Sequence, residues 1–135
     1  DFNRRGIDRL NDDELIKAAL RVLGNAYAPY SRFPVGAVVE TEVGVFEGVN
    51  VENASYGLTL CAECGMVSDL PLTGGGRLVA AVATNPAGEA ISPCGRCRQL
   101  LFEAGGASLL VDGPGGPRPL GDLLPDAFGP DDLLD

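Results

Sequence analysis

The 135-residue chain has no histidine and no tryptophan, and Lys17 is its only lysine. The missing histidine excludes the most. There can be no Ser-His-Asp triad, no Cys-His pair and no imidazole metal ligand. Acid–base chemistry falls to Asp, Glu, Tyr, Cys, Lys17 or a metal-bound water. Basic residues are scarce as well, 10 against 19 acidic, for a formal charge of −9. Nucleic-acid binding requires clustered Lys and Arg. Nine arginines scattered among more numerous acids argue against a polynucleotide partner, but not against a small neutral ligand. Long apolar runs are missing too. The longest, Leu78 to Ala83, falls far short of the roughly 20 residues that span a membrane. Asp1 to Leu10 is polar, without the apolar centre of a signal peptide. The expectation is a cytoplasmic protein with no membrane partner and reduced thiols.

What is present reads as globular: 45% hydrophobic and 21% charged residues. The length suits one domain over residues 1–135. The four cysteines form two pairs, Cys61 with Cys64 and Cys94 with Cys97. Their density is below that of a disulfide scaffold, and a reducing compartment disfavours disulfides. Two C-x-x-C pairs without a thioredoxin-like flank also weaken a redox reading. Metal binding leads.

Local patterns place these cysteines. Asn11 can cap a helix over Asn11–Leu23, with Asp12, Asp13 and Glu14 at its positive end. Ile16, Ala19, Leu20 and Leu23 form its apolar stripe, and Gly24 stops it. Gly36–Thr41 and Val45–Val51 are strands joined at Glu42-Val43-Gly44. Asn53–Gly57 is a turn. A second helix starts near Thr59 and ends by Pro71, and Thr73–Gly76 is a flexible loop. Leu78–Thr84 is a strand apolar on both faces, as in a covered sheet. Pro93 suits the first turn of a helix running to Ala104. Ser108–Val111 is a strand, followed by a Gly/Pro-rich loop to Pro119. No segment repeats. Strands alternating with helices indicate an α/β sandwich with helices covering the sheet.

On this map Cys61 and the Cys94/Cys97 pair fall in the first turns of two helices. Unpaired N–H groups and partial positive charge there favour the thiolate that binds metal. Two converging helix ends would present three sulfurs to one ion, and a catalytic zinc keeps a fourth place for water. Glu63, two residues after Cys61, could sit beside that open place and carry protons. Taken alone, it is a helix-start carboxylate favoured by the dipole.

Cys61-Ala62-Glu63 followed by Pro93-Cys94-Gly95-Arg96-Cys97 resembles the zinc-dependent nucleoside and nucleobase deaminase signature in its three-cysteine form. More specifically, the chain resembles the small homotetrameric cytidine deaminases. Matching segments run from Ala28 to Ala37, from Gly48 to Gly57, through both cysteine motifs, and from Leu123 to Gly129, in the family's order. The resemblance implies a three-layer α/β sandwich with a mixed sheet of about five strands. It implies hydrolysis of cytidine and 2'-deoxycytidine to uridine and 2'-deoxyuridine, in pyrimidine salvage.

It also implies roles residue by residue. Cys61, Cys94 and Cys97 would hold Zn²⁺. Glu63 would shuttle protons from the metal-bound water to ring N3 and to the departing amine. Phe33 would pack on the base, Asn50 and Glu52 would bind ribose hydroxyls, and backbone around Ala62 would contact the base. Ala54, Tyr56 and Phe128 match positions that neighbouring subunits contribute. One position departs: many members have Arg after C-A-E, where this chain has Cys64. Three thiolates around Zn²⁺ leave a net charge of about −1. Arg96 or Arg98 is the expected compensation, in the metal's outer shell with Cys64.

Two further readings stand beside this one. The enzyme could act on another cytosine nucleoside, such as a nucleoside antibiotic. Alternatively, all four cysteines could form a non-catalytic structural zinc site, although the 29 residues between Cys64 and Cys94 exceed the common gap of about 15–20. Phe33 and Phe128 would by default be core residues, although Pro34 and Gly129 place them near loops, where an exposed or interface role fits; Asn50 would be a turn former, Glu52 a solvated carboxylate, and Asp131 and Asp132 a solvated tail.

Overall fold

The computed structural model describes residues 11–73 and 76–133, so Asp1–Leu10 and part of the Thr73–Gly76 loop lie outside it. Helix α1 (Asp12–Val22) starts where its cap is encoded. The Asn11 side chain accepts from the Glu14 N–H at 2.9 Å, and the Glu14 carboxylate accepts from the Asn11 N–H at 2.9 Å. This reciprocal pair satisfies two donors that the helix itself cannot. A 3-10 turn over Leu23–Asn25 ends it. The buried stripe is Leu15, Ala18 and Ala19. The expected stripe was offset from this; Leu20 is 40% exposed and Ile16 only half-buried.

Strands β1 (Gly36–Thr41) and β2 (Val45–Val49) form the expected hairpin, with Gly36 opposite Val49 and Glu40 opposite Val45. The Thr41 hydroxyl accepts from the Val43 and Gly44 N–H groups, both at 3.1 Å, and closes the turn. Helix α2 (Ala62–Thr73) leads to β3 (Leu78–Thr84). Then come β4 (Ala90–Ile91), α3 (Gly95–Gly105), β5 (Leu110–Val111), β6 (Arg118–Pro119) and α4 (Leu120–Leu123). The sheet order is β2-β1-β3-β5-β6, with β4 also on β3. The described residues thus hold six strands, in line with the expected mixed sheet of about five. Among the strands of the described residues, β3 and β5 pair in parallel and the other ladders are antiparallel, so the sheet is mixed.

Successive strand residues point to opposite faces, and both faces are covered. Val38, Ala80 and Val82 pack against α1. Ala37, Val39, Ala81 and Ala83 pack against Ala62 and Met66 of α2 and Leu101 of α3. The result is the expected three-layer α/β sandwich. Full burial of a side chain the size of Met66 or Leu101 contributes about 1.5–3 kcal/mol. No helix among the described residues is long and apolar enough to cross a membrane.

Several boundaries differ from the sequence reading. Thr59 does not cap α2. It closes a 3-10 turn over Tyr56–Leu58, its N–H donating to the Tyr56 carbonyl at 3.1 Å. Leu60 then exchanges backbone bonds with Val51, which delays the helix to Ala62. Helix α2 continues past Pro71 to Thr73. A proline in the final turn removes one ladder donor, and two more residues can follow. Pro93 precedes the cap instead of opening α3; Cys94 is the N-cap, extended at φ −68° and ψ 169°. Strand β2 stops two residues early, and β5 keeps only Leu110 and Val111. Asp132 is more than a solvated tail, since its carboxylate accepts from the Gly129 N–H at 2.8 Å.

Candidate metal centre and active site

Topology brings the cysteines together. Both β2 and β3 run antiparallel to β1, hence parallel to each other, and Gly36 lies opposite both Val49 and Thr84. Helix α2 follows β2, and α3 follows β3, on the same face of the sheet. Their N-termini therefore open at one edge, the carboxyl ends of β2 and β3, where open α/β sheets place their ligands. Gly48 lets α2 sit close. A Cβ built on Gly48 would collide with the Ala62 carbonyl oxygen at the helix start.

At that edge the sulfurs of Cys61, Cys94 and Cys97 all lie within 4.8 Å of one another, and Cys61 Sγ is 3.8 Å from Cys94 Sγ. A tetrahedral zinc with bonds of about 2.3 Å sets its sulfurs about 3.8 Å apart. The residues present therefore fit the ion. Cys97 is buried, Cys61 half-buried and Cys94 exposed, so the trio has one open side. Cys64 stands outside the cluster.

The three thiols are not equivalent. Burial, and then the neighbouring Glu63 charge, pushes the Cys97 thiol up. Burial also raises Cys61, opposed by a hydrogen bond with Cys97. Burial works against the Cys94 thiolate too. There the N–H of Cys97, the thiols of Cys97 and Cys61 and the N–H of Arg96 outweigh it and lower the pKa. Those backbone donors belong to the first turn of α3; they favour the anion without closing a capping hydrogen bond.

A cavity of about 190 Å³ opens in front of the sulfurs, lined in part by Cys61, Ala62, Glu63, Cys94 and Asn50. Glu63 is only 6% exposed. The sequence reading missed Val35, Ala83, Ile91 and Ser92 in the same lining. Apolar residues at strand ends carry no chemical signature, although Ser92 and Ile91 stand directly before the Pro93-Cys94 motif.

The other expected residues are placed as follows. The Asn50 amide is turned to the backbone, accepting from the Val35 N–H at 2.9 Å and donating to the Phe33 carbonyl at 3.1 Å. Glu52 is buried, not solvated; it accepts from the N–H groups of Tyr30 (2.9 Å) and Ser31 (3.1 Å) and from the Ser31 hydroxyl. The Ser31 hydroxyl leads the lowering of its pKa. Glu52 and Tyr56 line an adjacent depression that shares Thr59 with the sulfur cavity. Phe33, Ala54 and Phe128 are exposed, contrary to the core default for the two phenylalanines. The Phe128 carbonyl accepts from Gln99 Nε2 at 2.7 Å. Arg96 is exposed. Arg98 donates from Nε to the Pro93 carbonyl (2.9 Å), from one terminal nitrogen to the Leu123 carbonyl (2.8 Å), and from the other to the Ser92 hydroxyl (2.8 Å). None of these three bonds reaches a sulfur.

Residues 10–111 match the family model for the cytidine and deoxycytidylate deaminase zinc-binding region. The cytidine deaminase of Mycobacterium tuberculosis is 59% identical over 116 residues, which cover 85% of this chain and 87% of the relative. The cytidine deaminase of Halalkalibacterium halodurans is 39% identical over 127 residues, covering 90% and 96%. The crystal structure of cytidine deaminase from Mycobacterium tuberculosis superposes with a TM-score of 0.85 at 54% identity, covering 90% of this chain and 99% of that one. The converging cysteines thus sit in a sequence and a fold shared with these enzymes, and the chain belongs to the zinc-binding family of cytidine and deoxycytidylate deaminases.

Proposed function

We propose that this chain is a hydrolase that converts cytidine and 2'-deoxycytidine to uridine and 2'-deoxyuridine with release of ammonia, as one domain over residues 1–135 working in cytoplasmic pyrimidine salvage. The observation that carries this is the junction of three sulfurs at zinc spacing with a buried glutamate on the wall of one cavity. Cys61, Cys94 and Cys97 hold the ion. A zinc with one open position supplies a water acidic enough to act as nucleophile near neutral pH. Glu63 would take one proton from the attacking water and give it to ring N3, then take the second from the new C4 hydroxyl and give it to the amine, so that the C4–N bond breaks, ammonia leaves and the C4 carbonyl forms. The N–H donors at the start of α3 favour the thiolate of Cys94. Cys64 lies outside the sulfur cluster, which disfavours the four-cysteine structural site.

Asn50 and Glu52 are assigned to the ribose, the Ala62 backbone and Phe33 to the base. Asn50 lines the cavity directly, and Glu52 needs to exchange loop hydrogen bonds for substrate hydroxyls. The cavity is below the roughly 300–1,000 Å³ typical of small-molecule sites, which supports completion by neighbouring copies. Exposed Tyr56 (75%) and Phe128 (59%) support the same reading, a homotetramer in which Ala54, Tyr56 and Phe128 reach another subunit's site. The charge of −9 favours a neutral nucleoside over nucleic acid.

The test is loss of cytosine absorbance when zinc-loaded protein meets cytidine. No turnover overturns the reading. A panel of deoxycytidine and base- or sugar-modified cytosine nucleosides separates it from a deaminase of another such nucleoside.

A further inference from the structure

We propose that Arg98 is a positioning residue for the metal centre, holding the Ser92–Pro93 backbone that delivers Cys94; the proposal rests on Cys94 being a zinc ligand, as argued above. The ligand loop is exposed to space on both sides. Ser92 and Pro93 line the cavity in front of the sulfurs and also a second cavity of about 300 Å³ behind them, with Arg98, Asp112 and Leu123. Before the loop stands a strand of two residues, Ala90 and Ile91. A ligand carried on so thin a wall needs a tie from elsewhere. The guanidinium of Arg98 reaches from the first turns of α3 to three acceptors: the Pro93 carbonyl, the Ser92 hydroxyl and, on α4, the Leu123 carbonyl. Its own N–H donates to the Cys94 carbonyl at 2.9 Å. Side chain and backbone of one residue thus fix three successive residues, ending at the exposed ligand.

The geometry requires a planar fork. Arg presents five donors in fixed directions, whereas the Lys ammonium is a point charge with three rotatable donors. Partners of metal ligands typically change metal affinity by about 10–100-fold when removed. On this account Arg98 acts through loop geometry, and a charge alone does not replace it.

The experiment uses zinc-loaded wild type, Arg98→Gln, Arg98→Lys, Ser92→Ala and Gln99→Ala. It measures the rate of zinc transfer to an excess chromophoric chelator, the thiolate-to-metal charge-transfer band after cobalt substitution, and kcat and KM for cytidine. Arg98→Gln and Arg98→Lys are both expected to release zinc about 10–100-fold faster, with a displaced cobalt band and a fall in kcat exceeding any rise in KM. Ser92→Ala removes one acceptor and is expected to speed release about fivefold, the worth of one net hydrogen bond. Gln99→Ala, whose side chain holds the Phe128 carbonyl, should leave release and band unchanged. Wild-type release from Arg98→Gln overturns the proposal, as does restoration of retention by Arg98→Lys. If Arg98→Gln does not fold, wild-type release from Ser92→Ala overturns it. A wild type that takes up no zinc overturns the metal-site reading itself.

Discussion

The two helix starts that meet at the sulfurs are built differently. Helix α2 follows directly on one proposed ligand, Cys61, with a buried glutamate two residues on, and it is seated by backbone contact through Gly48. Helix α3 carries the other two proposed ligands, Cys94 at its cap and Cys97 in its first turn, and it is seated by side-chain hydrogen bonds from Arg98 to the segments before and after it. The donors that favour a thiolate gather at Cys94, on α3. The proposed proton carrier, Glu63, sits on α2. On the proposed assignment, one start is specialised for chemistry and the other for holding the ion. A cavity shared by both lets each be altered separately.

The sharpest test of that division is Glu63→Gln. Turnover should fall by about 10²–10⁴-fold, while zinc content, measured by atomic absorption, stays at the wild-type level. Loss of zinc together with activity would merge the two roles. A smaller effect is expected from Gly48→Val, which forces bulk against the Ala62 carbonyl. Overpacking costs typically about 1–3 kcal/mol, visible as a lower midpoint in denaturant. Activity should drop with the displaced α2 while α3 still retains metal weakly. The smallest effect is expected from Cys64→Ser. Zinc stoichiometry should be unchanged and stability altered by less than about 1 kcal/mol. A protein that loses its zinc on this change would place a fourth ligand on α2 and erase the asymmetry.

Much of this was legible in the sequence where the signal is local. Asn11 encodes a cap, and the apolar run Leu78–Thr84 encodes a strand covered on both faces; both appear as read. The cysteine trio was legible because thiols are rare and their spacing is constrained. Nonlocal pairing was not. Thr59 has the chemistry of a cap, but the bridge between Val51 and Leu60 decides where α2 begins. Strand β4 is two residues long and exists because Ala83 and Thr84 offer an open edge. Arg98 looked like a countercharge for the thiolates. Its three bonds run to Ser92, Pro93 and Leu123, and the Leu123 carbonyl is 25 residues away along the chain. Sequence spacing carries no record of such a contact.

The parallel ladder between β3 and β5 bears on how the site comes into being. Cys61 and Cys94 are 33 residues apart in the chain, and α3 lies within the crossover that joins β3 to β5. Parallel pairing cannot form until such a crossover closes, a nonlocal and therefore slow event in folding. An ion that needs sulfurs from both helices finds its full ligand set only after that closure. On the proposed ligand set, zinc capture is expected late in folding, and removal of the metal is expected to weaken the crossover before the hairpin of β1 and β2.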